Sequence, residues 1–296
     1  MILSSSISSC LRVVALGLFA SFLAPDLFGA EEKFEFPQAS QPATIKQRVG
    51  LTDVEINYSR PDMHGRQIFG GLVPYGKVWR TGANQPTKIK FSDAVKIGGQ
   101  ELPAGEYAFY TIPNQNEWTI IFSKNLKLWG AYGYKPDADA LRVTVKPTTV
   151  ANPVETFSIG LDDLKDNGAT ISLEWEKTRV PVELITSTVE KVNQEIESAL
   201  QDPNSLKPIF YYQAASFYYD HDKDLAQAAK WIDQAIEKQQ PARYFLYYKK
   251  AQIEAKLGHK AEAKTAAEKS IELLKAEPEP DETAIRNSQL LIDSLH

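Results

Sequence analysis

The stretch TKIKFSDAVKIGGQELPAGEYAFYTIPNQNEWTIIFS, residues 87–123, decides how this chain folds. Thr87, Ile89 and Phe91 alternate with Lys88, Lys90 and Ser92, the period of two that sends successive side chains to opposite faces of a strand. Val95 and Ile97 run into Gly98-Gly99, a pair that favours a tight hairpin. A second turn, Leu102-Pro103-Ala104-Gly105, leads into the apolar run Tyr107 to Ile112. Pro113 to Asn116 closes that run, and Trp118, Ile120 and Phe122 resume the alternation. Connections this short join antiparallel neighbours. Helical periodicity is absent.

The same period extends outward in both directions. Upstream, Val54, Ile56 and Tyr58 alternate with Asp53, Glu55 and Asn57. Downstream, Leu141, Val143 and Val145 alternate, as do Phe157, Ile159 and Leu161. Asp166-Asn167-Gly168 is a turn before Ile171, Leu173 and Trp175, and a last strand is expected from Val180 to Ile185. About nine short strands with turns at regular intervals predict an antiparallel β-sandwich or barrel-like domain. We place it at residues 44–187, after a polar, proline-punctuated lead-in at 31–43.

Beyond Ser187 the pattern changes to helical. Thr188 to Leu200 reads as a helix, which Asp202-Pro203-Asn204 breaks. Aligning DLAQAAKWIDQAIE (224–237) with HKAEAKTAAEKSIE (259–272) superposes Ala228 on Ala263 and Ile236 on Ile271 at an offset of 35 residues. That is close to the period of about 34 in tetratricopeptide repeats. The region 188–296 therefore resembles a small α-helical domain of two degenerate repeats, with Leu257-Gly258 at an interhelix turn. A capping helix, Glu282 to Leu295, follows the linker AEPEPD. Two repeats fall short of the roughly three usually needed for independent stability, so docking on the β domain is expected. Exposed aromatics of the repeats would offer a surface to a protein partner.

The first 30 residues read as a secretory signal. Arg12 precedes the apolar run VVALGLFASFLA (13–24), and Gly29-Ala30 supplies small residues for cleavage. The run has the length of a signal core and is short for a bilayer span. An exported protein, periplasmic or extracellular, is expected, with no membrane span after cleavage; an uncleaved anchor is the alternative. Cleavage after Ala30 would remove Cys10, the single cysteine, and with it any disulfide, thiol nucleophile or zinc-thiolate site. A net charge of −5 argues against nucleic acid as a partner.

One connection is too long for a simple turn. YSRPDMHGRQIFGGLVPYGKVWRTGANQPT, residues 58–87, lies between two strand patterns, and a loop of this length is usually functional or carries structure of its own. With Lys88 included, five cations face one anion, Asp62. The motif SRPDMHGRQIFGGLVPYGKVWRTGANQPTKI (59–89), with LPAGEYAFYTIP (102–113) and EWTIIFSKN (117–125), makes residues 45–186 resemble the domain of unknown function 2911, a family of secreted bacterial proteins. The resemblance implies a β domain and export, sometimes with a tetratricopeptide-like tail. It implies no activity.

Within this loop, Arg60, Arg66 and Arg80 are candidates for an anion site, since guanidinium groups grip carboxylate or phosphate through paired donors. They could equally pin the loop to backbone carbonyls. Trp79, with Tyr75 and Phe69, offers a stacking face for a sugar, or else Phe69, Leu72 and Val73 plug one end of the sandwich. His64 is the only histidine of the β region and cannot by itself hold a metal. It is a candidate ligand contact or general base, and Asn84 a candidate for orienting a ligand. The loop glycines match no phosphate-binding spacing, and Ser59 and Ser123 lack a nucleophile-elbow context. No cofactor, metal site or catalytic residue is assigned.

Three readings compete. The first is a binding or scaffolding module, whose loop contacts an anionic or polar ligand such as a glycan or peptide. The second is a metal-independent hydrolase or lyase using Arg66, Arg80, His64 and Asp62. The third is a purely structural assembly protein.

Overall fold

The computed structural model describes residues 36–295, so the expected signal segment lies outside the described residues. Among the described residues ten strands precede six α-helices. The first strand, β1 (Gln41–Val49), begins inside the expected lead-in and pairs along its whole length with β2 (Thr52–Arg60). After the long loop come β3 (Thr87–Phe91), β4 (Val95–Ile97), β5 (Gln100–Leu102), β6 (Gly105–Ile112) and β7 (Trp118–Ser123). A second loop leads to β8 (Asp139–Val145), and the region ends with β9 (Thr148–Lys165) and β10 (Gly168–Thr186).

These strands form two antiparallel sheets, ordered β1-β2-β3-β6-β7-β8 and β5-β4-β10-β9. Ile56, Ile89, Phe109 and Phe122 from the first sheet meet Ile97, Leu173, Trp175 and Val182 from the second in one buried core. The alternation read along each strand is thus the inward face of a sandwich. Each of these side chains contributes roughly 1.5–3 kcal/mol by leaving water. A core of this size needs no disulfide, and residues 31–296 contain no cysteine.

Two strands expected as separate turn out to be one. The patterns around Ile171–Trp175 and Val180–Ile185 both lie within β10, bent at bulges on either side of Glu176, whose φ is 54°. A bulge bends a strand and raises its twist. Here it lets β10 pair with β9 at one end and with β4 at the other.

The helices are α1 (Thr188–Ala199), α2 (Pro208–Asp220), α3 (Leu225–Lys238), α4 (Tyr244–Leu257), α5 (Lys260–Lys275) and α6 (Glu282–Asp293). Asp224 and Asp281 cap α3 and α6 by accepting backbone N–H groups, which satisfies donors left open at a helix start. Ala228 and Ala263, superposed by the sequence alignment, are both fully buried. The helical aromatics pack among themselves, Tyr212 edge-on to Phe245 and Tyr218 edge-on to Trp231. Among the described residues, none of the β domain enters the helical core. The expected docking on the sandwich is instead a narrow polar junction, where Thr188 Oγ1 accepts from Leu51 N at 3.1 Å and Lys191 pairs with Asp93.

Candidate functional site

The loop between β2 and β3 carries both structure and a cleft. Its first residues pair with the second sheet, Asp62 bridging Thr156 and Phe157 N donating to Pro61 O at 2.9 Å. Its last residues pair with β6, Trp79 N donating to Thr111 O at 2.7 Å and accepting in return at 2.9 Å. Between them, residues 67–73 close a tight turn in which Val73 N donates to Ile68 O at 2.9 Å. The segment thus crosses one end of the sandwich and fastens both sheets.

The apolar side chains of this turn form the plug. Ile68, Phe69 and Val73 are buried, and Phe69 meets Trp118 edge-on with ring centroids 4.8 Å apart. Leu72, expected in the plug, is 47% exposed, and Ile68 takes its place at 0%. The reason is local, because Leu72 lies at the outside of the turn that Ile68 and Val73 close. Trp79 stacks on Trp175 at 5.9 Å and 18° between planes, and its Nε1 donates to Gly82 O at 3.1 Å. The ring also packs edge-on to Phe69, Trp118 and Phe157 and is 9% exposed, so the face expected to stack on a ligand is taken up by the core.

The outer surface of the loop bounds a cleft of about 510 Å³, within the ordinary range for small-molecule sites. His64, Arg66, Trp79 and Arg80 line it, together with Asp62, Lys77 and Trp175. Arg60 and Asn84 stand outside the lining. Arg60 Nε donates to Phe157 O at 3.0 Å, tying β2 to β9. Asn84 Nδ2 donates to Ser40 O and Ser59 Oγ, each at 3.3 Å, and holds the end of the loop.

The three cleft cations differ in how they are held. Arg66 is exposed, and it donates from Nε to Met63 O at 2.9 Å and from Nη2 to Asp62 O at 2.6 Å. Two of its five donors are thereby committed to its own turn. Lys77 is exposed, with no ion pair among the described residues. Arg80 is half-buried, its Nε is shielded from solvent with no hydrogen-bond partner, and no carboxylate pairs with it among the described residues. Asp62, the acid of the lining, accepts from Thr156 Oγ1 at 2.5 Å. His64 Nε2 lies 3.9 Å from Asp62 Oδ2, longer than a hydrogen bond.

The turn that presents Arg80 is strained and pinned. Thr81, fully buried, has φ 53°, a left-handed conformation that a β-branched residue adopts at a cost of order 1–3 kcal/mol. Its Oγ1 donates to Thr111 Oγ1 at 3.1 Å, and its carbonyl accepts from Thr87 Oγ1 at 2.5 Å. Gly82 follows at φ 142°, and a Cβ there would lie 2.9 Å from Ser59 O. Only glycine allows that approach.

The sequence motif did not single out Lys77 or Trp175 as site residues. Lys77 was legible only as part of a charge count, and Trp175 lies 96 positions from Trp79, so only folding could pair them. The second loop, residues 124–138, lies over the outer face of the first sheet, with Leu126, Leu128 and Tyr134 on Ala108, Tyr110 and Ile121. Tyr134 donates to Asp139 Oδ2 at 2.6 Å and accepts from Arg142. Burial first, then the Asp139 carboxylate, pushes its phenol pKa up to about 12.

Residues 40–184 match a family described as "Protein of unknown function (DUF2911)". No curated protein and no solved structure matches the chain. Among the described residues no cluster of ligating side chains suits a metal, and no helix is long and apolar enough to cross a membrane.

Proposed function

We propose that this domain of unknown function is an exported binding module whose end cleft takes an anionic ligand through Arg80, Lys77 and Arg66. The observation that carries the reading is Arg80, a half-buried guanidinium without a counter-ion among the described residues, in a cleft that holds two further cations. A buried donor left unsatisfied costs about 1–3 kcal/mol. A carboxylate or phosphate on the open side of the guanidinium would offset part of that cost through charge-assisted bonds. The strained Thr81 turn supports the same reading, since strain persists where surrounding structure holds a side chain in one orientation.

Export rests on the apolar run at 13–24. The helical region is read as degenerate tetratricopeptide repeats offering a surface for protein contact. That reading draws on the equivalent burial of Ala228 and Ala263 on α3 and α5.

Binding is tested by titration calorimetry of Arg80→Ala and Lys77→Ala against small carboxylates, phosphorylated metabolites and neutral sugars. Removing either cation should cost about 1.5–3 kcal/mol of anion affinity while the melting temperature stays unchanged. Anion affinity that survives in both variants would rule the cleft out.

A further inference from the structure

Arg80 reaches beyond the cleft. A methyl group added at Gly130 would lie 3.5 Å from Arg80 Nη1 and 3.5 Å from the Tyr132 ring, so the guanidinium and that ring flank the same glycine. Trp129 and Tyr132, on either side of this turn, are 62% and 81% exposed, and neither ring packs on another aromatic among the described residues. Their backbone is nonetheless held. Tyr110 donates its hydroxyl to Gly130 O at 3.3 Å, Tyr134 N donates to Ala131 O at 3.3 Å, and Tyr134 is locked to Asp139 and Arg142. A turn anchored on the sheet beneath it and showing two large rings to water is preorganised for contact.

Charge narrows what that contact is. The second loop, residues 124–138, contains Lys124, Lys127 and Lys135 against a single acid, Asp137, in a chain whose net charge is −5. None of these lysines makes an ion pair among the described residues. The loop of the cleft is cationic as well, and the two loops meet at Arg80.

We propose that Trp129 and Tyr132 extend the cleft past Arg80 into a second subsite, and that the whole surface binds a carboxylate-bearing oligosaccharide of the uronic-acid type. The assignment rests on the reading of the cleft as an anion site. Sugar rings present flat C–H faces that cover exposed aromatic rings, whose amphipathic character suits a wet contact. Carboxylates repeated along such a chain would meet Arg80 and the flanking lysines in turn. An acidic peptide would match the charge but would place no flat apolar face on the two rings.

The test is calorimetric titration of the full chain with galacturonic acid, its pentamer, a neutral glucose pentamer and pentaglutamate. Wild type should bind the uronate pentamer at least about tenfold more tightly than the monomer, from stacking on two rings. The double variant Trp129→Ala/Tyr132→Ala should keep wild-type monomer affinity and lose most of the tightening with chain length, only the ionic part from the lysines remaining, and both side chains are exposed enough for folding to be unaffected. Arg80→Ala should weaken monomer and pentamer alike. Equal monomer and pentamer affinity, a length dependence that survives the double variant undiminished, or pentaglutamate or the neutral pentamer matching the uronate pentamer would overturn the second subsite. Absence of binding to either uronate, with Arg80→Ala silent against every anion, would overturn the cleft reading as well.

Discussion

At the scale of single residues, adjacent positions in the long loop have opposite fates. Trp79 points into the sandwich, stacked on Trp175 and edge-on to Phe69. Arg80 lines the cleft, and its Nε finds no partner. Alternation along an extended segment sends neighbouring side chains to opposite faces, which is why the Trp79 ring is spent in the core while the Arg80 guanidinium stays at the cleft. Trp79→Ala should therefore cost about 3–5 kcal/mol of stability, read from denaturant unfolding. Arg80→Ala should stay within about 1 kcal/mol, because losing the packing of a half-buried stem is offset by removing an unpartnered donor. If the two variants lost stability equally, Arg80 would be a structural residue and the cleft an incidental groove. The sequence showed both residues as candidates but could not separate them, because burial depends on partners as remote as Trp175.

At the scale of elements, turns and bulges decide what strand patterns alone leave open. The β1–β2 hairpin turns at Gly50, whose φ is 57°. A Cβ there would lie 2.1 Å from both Asp166 O and Thr188 Oγ1. That close approach lets the hairpin touch the β9–β10 turn and the start of α1 together. Gly50→Ala forces backbone apart, and a loss of about 1–3 kcal/mol is expected, measured against Gly65→Ala, where a Cβ meets nothing within 4 Å. Equal costs at the two sites would show that left-handed backbone strain alone matters. The hairpin at Gly98-Gly99 was legible from its residue pair, as were the turn at Asp166-Asn167-Gly168 and the start of α1. The continuity of β10 was not, since the bulge at Glu176 interrupts the alternation that identifies a strand.

At the scale of the whole molecule, the sandwich and the helices keep separate apolar cores and meet through polar groups. Thr186 and Thr188 share a hydrogen bond of 2.9 Å, His221 lies 3.7 Å from Asp166, and Lys191 pairs with Asp93. The hydrogen bond from the Lys191 ammonium, then that from the Ser92 hydroxyl, holds the Asp93 carboxyl below its usual range. A carboxyl depressed in the folded state binds its proton less readily there than when unfolded. Its stabilisation is complete above the unfolded value of about 4 and disappears as pH falls through the lower folded value. Asp93→Asn should be less stable than wild type at neutral pH by up to about 1 kcal/mol, the scale of an exposed ion pair. The gap should close in acid, when unfolding curves are compared across the range. A gap independent of pH would remove Asp93 from the junction's electrostatics.

The sequence by itself determined the fold class, a β region of alternating strands and then helices with an internal offset of 35 residues. It also located the cationic, aromatic loop. These features are written in periods of two and of about three and a half, which neighbouring residues impose on the backbone. Tertiary structure alone decided which loop residues became plug and which became cleft. It moved Arg60 and Asn84 into structural roles, admitted Lys77 and Trp175 to the lining, and brought the Trp129–Tyr132 turn against Arg80. A site of this kind is assembled from segments far apart in the chain. Burial, pairing and exposure come into being only when the two sheets close on each other.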